Sequence, residues 1–178
     1  ATLKKDARLQ SFTLTSGAKS VRHSYGVQLN GENAEAELKG LSMLSGNRTS
    51  HAHVKMVHAA ERTRSMQKFK TVLSDASQSS FEGKILVHAI AQKTEAYQLN
   101  NSLILSPGAV ANCKPNLEIF ADDVKASHGA TISQIDPQQL FYLTTRGIDE
   151  KTARELLVQG FCREMTDQLP YPFLTLTR

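Results

Sequence analysis

Over the first three-quarters of the chain, apolar and polar residues trade places at every second position. In residues 8–15, Gln10, Phe12 and Leu14 fall on one face and Leu9, Ser11, Thr13 and Thr15 on the other, the period of a β-strand. Residues 21–29 repeat the pattern and are closed by Asn30-Gly31, a dipeptide that favours tight turns. Residues 34–44 could begin as helix on propensity, but Gly40 and the shortness of the run favour strand. In residues 49–60, His51, His53 and Lys55 share one face and His58 takes the other. Further on, Met66, Lys68, Lys70 and Val72 alternate with Gln67, Phe69, Thr71 and Leu73, and three more β-prone runs follow, broken by Gly, Asn, Pro or Ser.

The runs recur. Their apolar centres, near Val27, Leu41, Val57, Val72, Leu86, Ile104, Ile119 and Ile132, are 13 to 18 residues apart, a loose period of stacked units. No helix-length amphipathic stretch separates them, which excludes a sheet built from βαβ crossovers. A sandwich, a barrel or a β-helix all satisfy the pattern. Asn100-Asn101, tolerant of left-handed backbone angles, suits the tight corner of a β-helix.

The period changes in residues 118–136. Glu118, Phe120 and Asp122 alternate with Ile119, Ala121 and Asp123, so a strand is expected to end on two carboxylates before a turn at Ser127-His128-Gly129. Beyond Asp136 the period is helical. Asp136 caps a first helix, Pro137 fits its first position, and Gln139 is placed to close a capping box. Leu140, Phe141, Leu143 and Thr144 form its apolar face, and Arg146-Gly147 terminates it. Asp149 opens a second helix, whose Ala153, Leu156, Leu157, Gly160, Phe161 and Met165 recur at helical intervals until Leu169-Pro170. Most of this stripe is expected to dock on the β core.

The segments E-I-F-A-D-D-V-K-A-S-H-G-A-T and Q-L-F-Y-L-T-T-R-G-I, with K-P-N-L-E-I and N-N-S-L-I-L-S upstream, resemble the SufB/SufD family of iron–sulfur cluster assembly scaffolds. The S-H-G-A-T form is closest to the SufD branch, although the cysteine usual before it is here Ala126. The resemblance implies a mainly β fold: a right-handed parallel β-helix over residues 1–133, a carboxy-terminal α-helical segment over 134–170 and a tail over 171–178. It implies a non-catalytic scaffold subunit of a SufB–SufC–SufD complex, pairing with SufB through the β-helix and docking the SufC ATPase through the helices. His128 is then the candidate transient ligand for iron or a nascent cluster at the SufB interface. Tyr142, Arg146, Gly147, Ile148, Arg154 and Leu157 fall in the SufC-docking region. No cofactor is expected to be held stably, the cluster being shared transiently with SufB, and no residue marks a site for the reduced flavin linked to the assembled complex. Family members are longer, with a helical region ahead of the strands, so the chain is expected to be a carboxy-terminal part, able to form a homodimer when isolated.

Whole-chain properties narrow the alternatives. A length of 178 residues suits one core with a helical appendage. The net charge of +4 is scattered rather than gathered in a stripe, so no nucleic-acid partner is expected. Two cysteines, Cys113 and Cys162, make no disulfide framework and fit a reducing, cytoplasmic setting. No apolar run approaches the roughly 20 residues of a membrane span. Gly17-Ala18-Lys19-Ser20 lacks the glycine before lysine that a phosphate loop requires, and His51 with His53 lacks a third metal ligand. Asp122 and Asp123 are adjacent, point to opposite faces of a strand, and form no acid–base pair. An enzyme is therefore not expected. The alternative is a structural β-solenoid protein-binding module with no role in metal chemistry, and retention of an ABC-type ATPase subunit in a pull-down separates the two.

Overall fold

The computed structural model describes residues 1–167. Ten strands come first: β1 Thr2–Leu3, β2 Arg8–Ser16, β3 Ser20–Leu29, β4 Glu35–Leu44, β5 Thr49–His58, β6 Arg64–Leu73, β7 Gln78–Val87, β8 Thr94–Ile104, β9 Val110–Ile119 and β10 Val124–Gln134. Two helices follow, α1 Pro137–Thr145 and α2 Glu150–Thr166. The expected helix end at Leu169-Pro170 and the tail over 171–178 lie outside the described residues.

Odd strands form one parallel sheet, β1-β3-β5-β7-β9, and even strands the other, β10-β8-β6-β4-β2. Consecutive strands thus alternate between two facing sheets, and the chain coils as a parallel β-helix of about 5 turns. Thr49 lies in register over Ser20 and Gln78 over Thr49, each 29 residues on, whereas Glu95 lies 31 residues past Arg64 and Val110 lies 32 past Gln78. The shorter recurrence visible in the sequence is half a turn, one strand of each sheet.

Corners are made by residues with left-handed backbone. Asp6, Asn33, Arg62 and Lys93 (φ 58°, 59°, 54° and 58°) hold equivalent places just before successive even strands. Gly17, Gly46 and Asp75 do the same before odd strands. Asn100-Asn101 is not a corner: both lie inside β8, where Asn100 is buried and Asn101 donates outward to Thr131 Oγ1 at 2.6 Å. The expected turn at Ser127-His128-Gly129 is likewise absent. β9 already ends at Ile119, Asp122 and Asp123 occupy the corner, and Ser127 to Gly129 are mid-strand in β10, because pairing along the whole of β8 supplies the hydrogen bonds a turn would forgo.

Inside the coil, Leu29, Leu38, Val54, Met56, Ile85 and Val87 form the apolar core. Polar residues also enter it. His58 is fully buried, with Nδ1 2.8 Å from Thr63 Oγ1 and Nε2 2.8 Å from Ser65 Oγ, and burial lowers its pKa from 6.5 to about 4. Gln98 Nε2 donates to Gln67 Oε1 at 2.8 Å across adjacent rungs.

Asp136 caps α1 by accepting from the Gln138 N–H at 2.8 Å, and Asp149 caps α2 by accepting from the Thr152 N–H at 3.0 Å. The second half of α2 packs on the coil. Cys162 and Met165 pack on Leu41 and Val72 of the outer face of the even-strand sheet. Lys70 Nζ donates to Phe161 O at 2.7 Å, and Lys68 and Lys70 both pair with Glu164. α1 buries no residue and rests on α2. The docking of the α2 stripe is therefore partial: Met165 is buried, whereas Leu156 is 42% exposed.

Candidate functional site

A strand in the middle of a sheet is paired on both sides, and a strand at its edge on one. β9 pairs with β7 and β10 with β8, and among the described residues neither has a neighbour on its other side. The last rung is consequently uncapped, with its ladder groups and its inward-facing side chains both uncovered. Val110, Ile119 and Ile132 of this rung and Phe120 of its corner are exposed large apolar residues, at 43%, 37%, 51% and 64%. Such an edge is a template for pairing with another chain.

His128 belongs to this rung. Val124 and Ala126 pack against the core, so the alternation of β10 turns His128 to the same inward side. It lies in register over Gln98 of β8, as Ala126 lies over Ala96. The residues in register beneath it, Leu38, Gln67 and Gln98, are all buried; among the described residues no further rung covers His128, and the imidazole is exposed. The matching inward residue of β9 is Cys113, in register over Phe81 and half-buried; burial pushes its thiol pKa up. Beneath them, Gln98 Oε1 and Gln67 Nε2 are buried without a hydrogen-bond partner. Among the described residues no three His, Cys, Asp or Glu side chains gather to hold a metal ion. The rung offers at most an incomplete donor set from this chain.

The helical residues form a second surface. Tyr142 of α1 is 58% exposed, with the Arg146 guanidinium 5.1 Å over its ring. Gly147 adopts φ 83°, and its N–H donates to Thr144 O at 3.0 Å while that of Ile148 donates to Leu143 O at 3.4 Å, so the helix ends in a Schellman motif. Leu157 of α2 lines a shallow cleft with Tyr142, Leu143, Asp136, Gln138 and Gln139. Arg154 is held by Glu150 on its own helix at 2.7 Å. Tyr142 and Leu157 thus line one cleft, with Arg146 stacked on Tyr142, whereas His128 stands on the solenoid. His51 and His53 take other partners, Ser80 at 2.7 Å and Glu82 at 3.5 Å.

Sequence reasoning missed Gln98 and the pairing of Cys113 with the His128 rung. The signal for Gln98 is its place in the strand one turn before that of His128; without the register, nothing marks it.

The family model of the SufBD core domain of the SUF system for FeS cluster assembly matches residues 1–161. The chain is similar to iron–sulfur cluster assembly protein SufD of Escherichia coli (strain K12), 38% identical over 167 residues, 94% of this chain and 40% of that protein. It is 39% identical over 166 residues to an iron–sulfur cluster assembly SufBD family protein of Synechocystis sp., covering 93% of this chain and 37% of that one. Chloroplastic protein ABCI7 of Arabidopsis thaliana is 41% identical over 166 residues, 93% of this chain and 35% of that protein. The chain spans less than half the length of these relatives. No described helix is long and apolar enough to cross a membrane.

Proposed function

This chain belongs to the SufBD core domain family, and on that premise we propose that it is part of a non-catalytic scaffold subunit for iron–sulfur cluster assembly. Its β-helix pairs with a SufB-type sister subunit through the uncapped rung, and its helices carry a SufC-type ATPase. The observation that carries this reading is the uncapped rung itself, an unpaired edge flanked by exposed Val110, Ile119 and Ile132, with His128 set into its mouth. A sister strand laid on that edge would satisfy the ladder groups and cover the apolar residues in one step.

In such a pair His128 faces the neighbouring chain. An imidazole nitrogen suits iron, and the described residues gather too few donors to hold the cargo alone. Cluster or iron is therefore substrate shared between two chains. The cleft lined by Tyr142 and Leu157, with Arg146 stacked on Tyr142, is the surface for the ATPase, and Gly147, Ile148 and Arg154 flank it near the helix ends. Lys68, Lys70 and Glu164 lock α2 to the even-strand sheet, so a movement of the motor is passed to the solenoid as hinge motion.

The test is reconstitution of the three-subunit complex with His128→Ala. The complex is expected to assemble and to lose cluster formation; undiminished cluster formation would remove the ligand role. Tyr142→Ala with Arg146→Ala is expected to weaken retention of the ATPase subunit in a pull-down. A solenoid that retains no ATPase in its wild-type form is a binding module of another kind.

A further inference from the structure

Beneath the uncapped rung, two side chains converge. A methyl group added at Gly83 would fall 2.1 Å from Gln98 Nε2 and 2.7 Å from Phe81 Cε1. Gln98 of one sheet and Phe81 of the other thus meet over the Gly83 backbone. Cys113 lies in register over Phe81, Pro115 over Gly83 and His128 over Gln98, one strand spacing of about 4.8 Å further out. The thiol and the imidazole therefore stand above converging partners, one from each sheet, at the open mouth of the coil.

The amide of Gln98 points to what belongs there. It is 3% exposed, and its Nε2 donates to Gln67 Oε1 of the rung below. Its Oε1, the opposite arm of the same planar amide, finds no donor among the described residues. In a ladder of stacked amides the free carbonyl is turned to the next rung, which here is that of His128. A buried acceptor left without a donor destabilises the fold, and the ring N–H of His128 is the donor that the register offers.

We propose that Cys113 and His128 form a thiolate–imidazole half-site for a thiophilic divalent metal ion, with Gln98 positioning the imidazole. The inference rests on the reading of His128 given above and adds to it a second donor from this chain. On binding, the Cys113 thiol releases its proton to solvent as the sulfur–metal bond forms, and one ring nitrogen of His128 gives its lone pair to the metal. The other ring nitrogen keeps its proton and donates it to Gln98 Oε1, which fixes the tautomer. Sulfur and imidazole nitrogen favour iron(II), cobalt(II) and zinc over magnesium and calcium. Water, or a facing chain, completes the shell.

Anaerobic titration of the intact chain with Co2+ tests this. A thiolate-to-cobalt charge-transfer absorption is expected, unchanged in Cys162→Ser, whose thiol lies under α2, and lost in Cys113→Ser. His128→Ala should weaken Co2+ binding more than 10-fold while the thiolate band persists at saturation. Gln98→Leu should weaken it by about 10–100-fold, and Gln98→Glu, which restores an oxygen acceptor, should recover most of the loss. A band that survives Cys113→Ser, or no band in the wild type, overturns the half-site; an unchanged affinity in Gln98→Leu overturns the positioning role. The reading of His128 is separable: if His128→Ala abolishes cluster assembly in the reconstituted complex while Cys113→Ser changes neither band nor assembly, the half-site fails and the interface ligand stands.

Discussion

Acidification should loosen this fold through His58. The ring is fully buried, one nitrogen facing Thr63 and the other Ser65, each at 2.8 Å. A neutral imidazole is one donor and one acceptor, and the two hydroxyls can answer each. A proton added to this ring would place a charge in the apolar coil, which is why burial lowers the pKa from 6.5 to about 4. In the unfolded chain the residue titrates near its ordinary value. Between the two values the unfolded chain takes up the proton and the folded chain does not. Stability is therefore fully present above about pH 6.5, falls as the pH drops toward 4, and changes no further through this group below that. At about 1.4 kcal/mol per pH unit, the displacement corresponds to about 3 kcal/mol. Urea unfolding followed by circular dichroism, at about pH 7 and about pH 4, on the wild type and His58→Gln measures it. Carboxylates such as Glu164, held below the usual range chiefly by its hydrogen bond to Lys68, add acid sensitivity to both proteins, so the difference between the two profiles carries the result. The wild type should lose about 3 kcal/mol more than the variant over this range. Parallel profiles would refute the reasoning.

Met165→Ala, which empties the contact between α2 and Leu41 and Val72, should cost about 2–4 kcal/mol; limited proteolysis should then cut within α2 before the strands. Gly83→Ala drives a methyl into Gln98 and Phe81 and should cost about 1–3 kcal/mol by overpacking, read as a lower melting temperature together with weaker Co2+ binding at the open rung. Ile132→Lys, at an exposed edge position, should leave the unfolding midpoint of the chain within about 0.5 kcal/mol of wild type yet prevent pairing with the sister subunit in sedimentation experiments.

Much of the coil was legible because its physics is local. Alternation with a period of two gave the strands, and Asn30-Gly31 and Asp136-Pro137 marked real boundaries. The half-turn spacing was visible as well, but it could not choose a β-helix over a sandwich, since both bury one face of every strand. That choice depends on which strands pair, and parallel register over 29 residues leaves no mark in a single run. The same blindness explains the misplaced turn at Ser127-His128-Gly129. Small polar residues favour turns in isolation, and only the continuous ladder on β8 holds them extended. His128 was found through a resemblance; its position at an uncapped mouth, over an orphaned amide, is tertiary information. Phe141 and Leu156 show the converse case, apolar helical positions that the core of this chain leaves exposed.

Amide hydrogen exchange on the chain, alone and mixed with a SufB-type partner, tests the central claim most directly. The account predicts that β9 and β10 exchange fast when alone and become protected on mixing, while the enclosed strands β5 to β7 are protected throughout. Binding that leaves β9 and β10 as fast as before, with protection arising elsewhere on the coil, would contradict it.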